Sequence, residues 1–160
     1  MMQPLHSTKQ FVQRLFDSKF DPAIVKLPQV RENHESNIPG LYLIGEVRGT
    51  PLIKQGLNQG NCLINDLFES QPPSNLPGDV YDVLIVGAGA SGIGAANRAQ
   101  ELGLRYVVIE QGQPANLIRS FTKGKPLFME PLDVPLESSM WCQESSKEEL
   151  LEQWDREIAR

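Results

Sequence analysis

The chain has 160 residues, enough for one domain or part of a larger one, and 40% of them are hydrophobic, enough for a core. Its 15 basic and 20 acidic residues leave a net charge of −5, with no basic stripe and few aromatic residues, which argues against a nucleic-acid partner. No apolar run approaches the roughly 18 residues of a membrane span, and the N-terminus lacks a signal-peptide core. Cys62 and Cys142 lie far apart with no Cys-x-x-Cys, so neither a redox pair nor a zinc site is legible; both read as packing residues, and the compartment as reducing and cytoplasmic.

In chain order, Phe11, Val12, Leu15 and Phe16 stand at helical spacing and predict a short amphipathic helix that docks on the body. Prolines 22 and 28 and the polar run Arg31–Asn37 make residues 21–37 an extended connector. His6 and His34 have no metal-ligand partner at useful spacing, so no metal is expected. Pro39-Gly40 is a turn signal, and Leu41-Tyr42-Leu43-Ile44 reads as a short buried strand ending at Gly45-Glu46. A helix follows over 52–68. Gly56 and Gly60 each weaken it by roughly 1 kcal/mol relative to alanine, so they mark the close approach of a neighbour or ligand. Residues 71–79 are a proline-rich linker. A right-handed crossover through this helix and linker would set strand 41–44 parallel to the next strand, in one sheet.

The next stretch organises the chain. Asp82-Val83-Leu84-Ile85-Val86 is an apolar run of the kind found in buried parallel strands, and it turns into Gly87-Ala88-Gly89-Ala90-Ser91-Gly92. The glycines have the G-x-G-x-x-G spacing. Gly87 permits the tight turn, Gly89 lets the backbone approach a pyrophosphate, and Gly92 lets the new helix pack on the strand. The helix start, with Ala90 and Ser91, offers free N–H groups and a positive dipole end to an anion. The helix runs over 90–102 and stops at Gly103, and a second strand, Tyr106-Val107-Val108-Ile109, ends at Glu110. Glu110 stands where the fingerprint places a carboxylate for a ribose hydroxyl, with Gln111 beside it. Beyond it, 114–121 reads as a short helix, 127–129 as a brief strand, and Ser146-x-x-Glu149 as a capping box that opens a final helix over 147–159. Arg119, Lys123 and Lys125 form a small basic cluster, read as a solvated loop or as a phosphate contact.

Two motifs resemble one family. Ile38 to Glu46 resembles the second flavin-binding motif of the FAD-dependent pyridine nucleotide-disulfide oxidoreductases, where a Pro-Gly turn and a strand lead to Gly-Asp. Val83 to Glu110 is similar to their first FAD motif. Lys54-Gln55-Gly56 resembles the helix start that faces the flavin's pyrimidine end in thioredoxin-reductase-like members. The segments 123–131 and 146–151 are similar to the region after the first motif in bacillithiol-disulfide-reductase-like flavoproteins.

The resemblance implies an α/β fold with a Rossmann-like parallel sheet and flanking helices. It also implies FAD as cofactor, with NAD(P)H for the complete enzyme. Gly87, Gly89, Ala90, Ser91, Gly92, Glu110 and Gln111 would hold the adenosine and pyrophosphate half. Gly45, Glu46 and Lys54 would hold the flavin half.

The sequence departs from the family in three ways: Glu46 replaces the aspartate, the order of the motifs is reversed as in a circular permutation, and neither a second G-x-G-x-x-G nor an active cysteine pair is present. The chain thus reads as a partial reductase in four parts: helix and connector (1–37), strand–helix (38–70), linker (71–80) and dinucleotide-binding segment (81–160). The substrate, a small molecule or a thiol or disulfide, stays unspecified. A nicotinamide-binding domain or a second copy of the chain would complete the enzyme. Two other readings stay open, an NAD(P)-binding Rossmann protein and a non-catalytic regulatory or assembly module.

Overall fold

The computed structural model describes residues 28–69 and 80–159. After a short helical turn at Gly45–Arg48 come α1 (Ile53–Phe68), β1 (Val83–Val86), α2 (Ala90–Glu101) and β2 (Tyr106–Ile109). The one-turn helix α3 (Asn116–Arg119), β3 (Pro126–Leu127), β4 (Ser145–Ser146) and α4 (Lys147–Ile158) complete it. The helix expected around Phe11–Phe16 and the linker at 71–79 lie outside the described residues.

β1 and β2 pair in parallel, from Val83 opposite Tyr106 to Val86 opposite Ile109, and α2 is the crossover between them. Parallel strands need such a crossover, because a two-residue turn cannot reverse the chain twice. Asp82 pins the start of the pair: its carboxylate accepts the Arg105 N–H at 2.8 Å, and its own N–H donates to the Arg105 carbonyl at 2.7 Å. β3 and β4 form a two-residue antiparallel pair. The unit is a small α/β fold, a two-stranded parallel sheet with flanking helices, consistent with a Rossmann-like fragment.

Glycines set the distance between α1 and α2. A Cβ on Gly60 would stand 2.5 Å from the Ala95 nitrogen, and one on Gly94 would stand 2.9 Å from the Leu57 Cα. A Cβ on Gly56 would reach 3.1 Å from that of Ala90. The close neighbour that Gly56 and Gly60 announce is therefore α2, and the lost helix propensity is offset by packing backbone on backbone.

This helix pair joins two cores. On one side Ile64, Ala95, Ala99 and Leu104 enclose Ile85 of β1. On the other, Leu57 and Ile93 meet Ile118, Leu127, Leu150 and Trp154. Leu57, Leu150 and Trp154 are fully buried, each contributing about 1.5–3 kcal/mol of apolar transfer energy. The one polar atom of Trp154 is satisfied, its indole N–H donating to the Trp141 carbonyl at 2.8 Å.

The strand expected over Leu41–Ile44 does not join the sheet. Its backbone groups pair instead with the segment just before it. The Ser36 N–H donates to the Leu41 carbonyl at 2.8 Å, the Leu43 N–H donates to the His34 carbonyl at 3.0 Å, and Tyr42 bridges Glu35. The Pro39-Gly40 turn thus closes a local hairpin-like loop, which local hydrogen bonding favours over a long-range pairing with high closure entropy. Ile44 still packs against the buried cluster around Ile85, as Val83 and Tyr106 do.

The final helix begins as its sequence predicts. The Ser146 side chain accepts the Glu149 N–H, and the Glu149 carboxylate accepts the Ser146 N–H at 2.8 Å. No helix among the described residues is long and apolar enough to cross a membrane.

Candidate functional site

The turn from β1 into α2 is built as the glycine spacing requires. Gly87 has φ +96°, a left-handed conformation that side chains disfavour, and the space beside its Cα is open. A Cβ on Gly92 would overlap the Gly87 carbonyl oxygen, so this glycine lets helix and strand meet. Gly89 differs from both: its φ of −73° suits any residue, and a Cβ there would touch nothing. The space over Gly89 is outside the protein's own packing.

Glu110, at the end of β2, fixes this turn from the side. One carboxylate oxygen accepts the Ala88 N–H at 2.7 Å and the other accepts the Gly112 N–H at 2.9 Å. The Ala88 carbonyl in turn accepts the Ala115 N–H at 2.8 Å. Ala88 is thereby held on both sides, and the glycines around it keep one conformation. The N–H groups of Ala88, then Gly112, and finally Gln111 hold the Glu110 carboxyl below its ordinary value of 4.5. It is ionised at neutral pH, and each oxygen keeps a lone pair for a further donor such as a sugar hydroxyl. Gln111 is exposed beside it.

The second glycine turn meets the first. Gly45 has φ +78°, and a Cβ on it would overlap the Ser91 hydroxyl. Its N–H donates to the Gln59 side chain at 2.8 Å, and the Gln59 amide donates to Thr50 Oγ1 at 3.1 Å. A residue of α1 therefore holds the turn that precedes α1. Between the two turns lies an open cleft of about 210 Å³. Gly45, Glu46, Leu52, Ile53 and Gly56 line one side, Gly89, Ala90 and Ser91 the other, with Ile118 and Phe121 as an apolar wall.

Besides the one-turn α3 behind Ala115, two long helices start at this cleft, and neither is capped. The residue before α1 is Leu52 and the one before α2 is Gly89; neither side chain accepts a first-turn N–H, and neither first turn holds an acid. The first intrahelical bonds are made by Gly56, to Leu52, and by Ile93, to Gly89. The amides ahead of them have no acceptor within their helices. Two positive dipole ends therefore converge on one concave surface, an arrangement that favours an anion.

Of the residues expected at the site, Gly45, Glu46, Gly89, Ala90 and Ser91 line the cleft; Gly87, Gly92 and Glu110 are outside its lining and shape the turn from β1 into α2. Lys54 is placed elsewhere. Its side chain, 7% exposed, donates to the carbonyls of Pro131 and of Val134, the latter at 2.9 Å. Helix phase explains this: Lys54 is one residue on from Ile53, and it turns with Asn58 toward the loop at 131–137. The Asn58 amide donates to the Pro135 carbonyl and its oxygen accepts the Glu137 N–H, both at 2.8 Å. Lys54 is neither solvated nor turned into the cleft; it clamps a loop.

The basic cluster also disperses. Arg119 donates to the Pro114 carbonyl at 2.8 Å and pairs with Asp155, while the Lys125 ammonium stands 4.2 Å from the Phe121 ring centre. Both cysteines are free and half-buried, and both thiols are shifted away from the thiolate. Burial first, then the Glu137 and Asp66 charges, push the Cys62 thiol up. Burial pushes Cys142 up to about 11, against a smaller opposing pull from Lys54.

Sequence reasoning did not find Gln59, Thr50 or the apolar wall from Ile118 and Phe121. Nothing in their spacing marks them, since their roles depend on how α1 and the loop after β2 fold back. No curated protein and no solved structure matches the chain. Residues 84–135, from β1 through the loop that Lys54 and Asn58 clamp, match the family model of the pyridine nucleotide-disulphide oxidoreductases, which supports a relation of this segment to that family.

Proposed function

We propose that the chain binds FAD and is the flavin-holding part of an NAD(P)H-dependent flavoprotein oxidoreductase. The observation that carries this reading is the convergence of two uncapped helix starts, each behind its own glycine turn, on one cleft. A nicotinamide-binding unit needs only the first of these turns; an extended dinucleotide with charge at two places uses both. In this reading the amides of Gly89, Ala90 and Ser91 receive the pyrophosphate. Glu110 accepts from the adenosine ribose, and Gly45, Glu46 and the start of α1 meet the flavin. Gln111 stands at the adenosine end.

FAD supplies hydride and electron transfer when bound; the protein supplies position and field. A helix start at the pyrimidine end stabilises the negative charge of a reduced flavin. Lys54 acts on this field only from a distance, through the clamp on the loop at 131–137. The two raised thiol pKa values argue against disulfide chemistry on this chain's own cysteines, so electrons would leave the flavin for a separate acceptor. The cleft is smaller than the roughly 300–1,000 Å³ of an enclosing ligand pocket, so it encloses only part of the dinucleotide, and the rest of it extends past the cleft. The nicotinamide site falls to a further domain or a second copy, in a cytoplasmic enzyme.

Purified protein titrated with FAD, followed by flavin fluorescence quenching and visible absorbance, tests this. Saturable binding with flavin bands is expected, and weaker binding of NADH. A colourless protein that binds NADH in preference would overturn it.

A further inference from the structure

Among the described residues, nothing packs over one face of the sheet. Ile85 of β1 points into the core with α1 and α2, but its neighbours Leu84 and Val86 are 58% and 78% exposed, and Ile109 on β2 is 55% exposed. Tyr81, just before β1, is also exposed. Side chains alternate across a strand, so Leu84, Val86 and Ile109 belong to the face turned away from the helices. Parallel sheets occur almost only with both faces covered, and an apolar patch of this kind marks a surface that something occupies.

We propose that the N-terminal segment of this chain, residues 1–27, covers this face through its apolar positions Phe11, Val12, Leu15 and Phe16. Three arguments favour this occupant. The first is reach. The described chain that follows packs on the other face of the sheet through Ile44, and residues 21–27 alone span up to roughly 24 Å when extended, more than the roughly 10 Å between packed layers, so the segment can round the sheet to its bare face. The second is charge. The segment carries Lys9, Arg14, Lys19 and Lys26 against Asp17 and Asp21, whereas the rest of the chain holds 11 of the 15 basic and 18 of the 20 acidic residues. A cationic amphipathic segment is thus attracted to the body that offers it an apolar face. The third is tethering. A segment linked through a short connector has an effective concentration on the order of millimolar, so it outcompetes a second copy of the chain at micromolar concentration. The result is a sheet covered on both faces, the layering that α/β folds favour.

Amide hydrogen exchange on the full-length chain tests the proposal, with light scattering to read its mass. In the wild type, amides over 9–20 are expected to exchange at least about tenfold more slowly than an unstructured peptide. Leu84→Lys should abolish that protection and leave peptides from α1 and α2 unchanged, which shows that the body still folds. Phe16→Lys, outside the described body, should in turn speed exchange over 83–86 and 106–109. All three proteins should be monomers. An unprotected segment in the wild type overturns the proposal. So does a concentration-dependent dimer that Leu84→Lys makes monomeric, which would give the face to a second copy. Protection over 9–20 that survives Leu84→Lys in a folded protein also overturns it, since the segment would then lie elsewhere.

Discussion

Helix α4 and the pair α1 and α2 begin in opposite ways. α4 opens on a complete capping box, with Ser146 and Glu149 exchanging hydrogen bonds and Glu148 adding charge to the first turn. α1 and α2 open on Leu52 and Gly89, with no side-chain cap and no acid in the first turn. The same chain therefore supplies the full device at α4, whose start is bonded to the segment at 119–125, and omits it at the two long helix starts that share a cleft. An omitted cap costs about 1 kcal/mol at an apolar residue such as Leu52 and a few tenths at a glycine such as Gly89. The one-turn helices at Gly45–Arg48 and Asn116–Arg119 are uncapped as well, but among the long helices the omission falls on the two whose starts line one cleft, where a ligand could do the capping.

The largest effect separates glycines that serve the fold from those that serve the ligand. Gly92→Ala would drive a methyl group into the Gly87 carbonyl, backbone against backbone, and is expected to destabilise the protein by about 3 kcal/mol. Gly89→Ala meets open space and a permissive φ, so stability should change by less than about 0.5 kcal/mol. FAD affinity should nevertheless fall at least about tenfold, equivalent to 1.4 kcal/mol. Thermal unfolding and FAD titration of the two variants read both quantities. Equal stability losses would show that both glycines are structural and remove the contrast on which the ligand argument rests.

The glycine turn, α2, β2, Glu110 and the cap of α4 were all legible in the sequence because each rests on local rules, such as a steric demand for glycine, an apolar strand length or a three-residue capping interval. The site as a whole was less so. That Gly45 would lie against Ser91 follows from the α1–α2 packing, which Gly56 and Gly60 only announce. Leu41–Ile44 has a strand's composition but too few residues to outweigh the nearby hairpin partner at 34–36. Lys54 was misplaced because a single lysine near a helix start reads the same whether it faces a ligand, water or two carbonyls 77 and 80 residues away. Tertiary contact at such separations leaves no periodic trace.

The comparison can be sharpened by giving α2 the cap it lacks. Gly89 already has the extended conformation of an N-cap residue, with φ −73° and ψ −177°. Gly89→Asp should let the carboxylate accept from the first-turn amides and raise stability by a few tenths of a kcal/mol, the usual difference between Asp and Gly caps. The same carboxylate would occupy the anion's place and repel it. FAD affinity is expected to fall about a hundredfold, roughly 2.7 kcal/mol. Stability and function would then move in opposite directions at one residue. A variant that gained stability and kept its FAD affinity would show that the α2 start does not meet the cofactor.

At the other helix the cap has only structural work. Ser146→Ala removes the hydroxyl that accepts the Glu149 N–H and should cost about 1 kcal/mol, within the range of roughly 0.5–2 for such losses. Since Ser146 does not line the cleft, FAD binding to the folded protein should be unchanged. A change in affinity would couple α4 to the site, through Leu150 and Trp154 against Leu57 and Ile93 in the shared core.

The smallest effect is one of acid titration. The Ser146 N–H, then its hydroxyl, hold the Glu149 carboxyl below 4.5, and the Ala88 and Gly112 N–H groups do the same for Glu110. A carboxyl with a lowered pKa in the folded state binds fewer protons folded than unfolded near its titration range. Its contribution is present above the unfolded value of 4.5 and is lost as pH falls through the lower folded value. Glu149→Gln keeps an oxygen that can accept the Ser146 N–H, so its deficit at pH 7 should be slight. Glu110→Gln offers one acceptor where two backbone donors wait, and its deficit should be larger. Both deficits should shrink below pH 4.5, as the wild-type carboxyls become neutral. Thermal midpoints of the three proteins between pH 7 and pH 3 read this. If the Glu110→Gln deficit held constant through that range, the ionised carboxylate would not be what holds Ala88, and the glycine turn would owe its shape to the Ala115 N–H and to packing on Gly92.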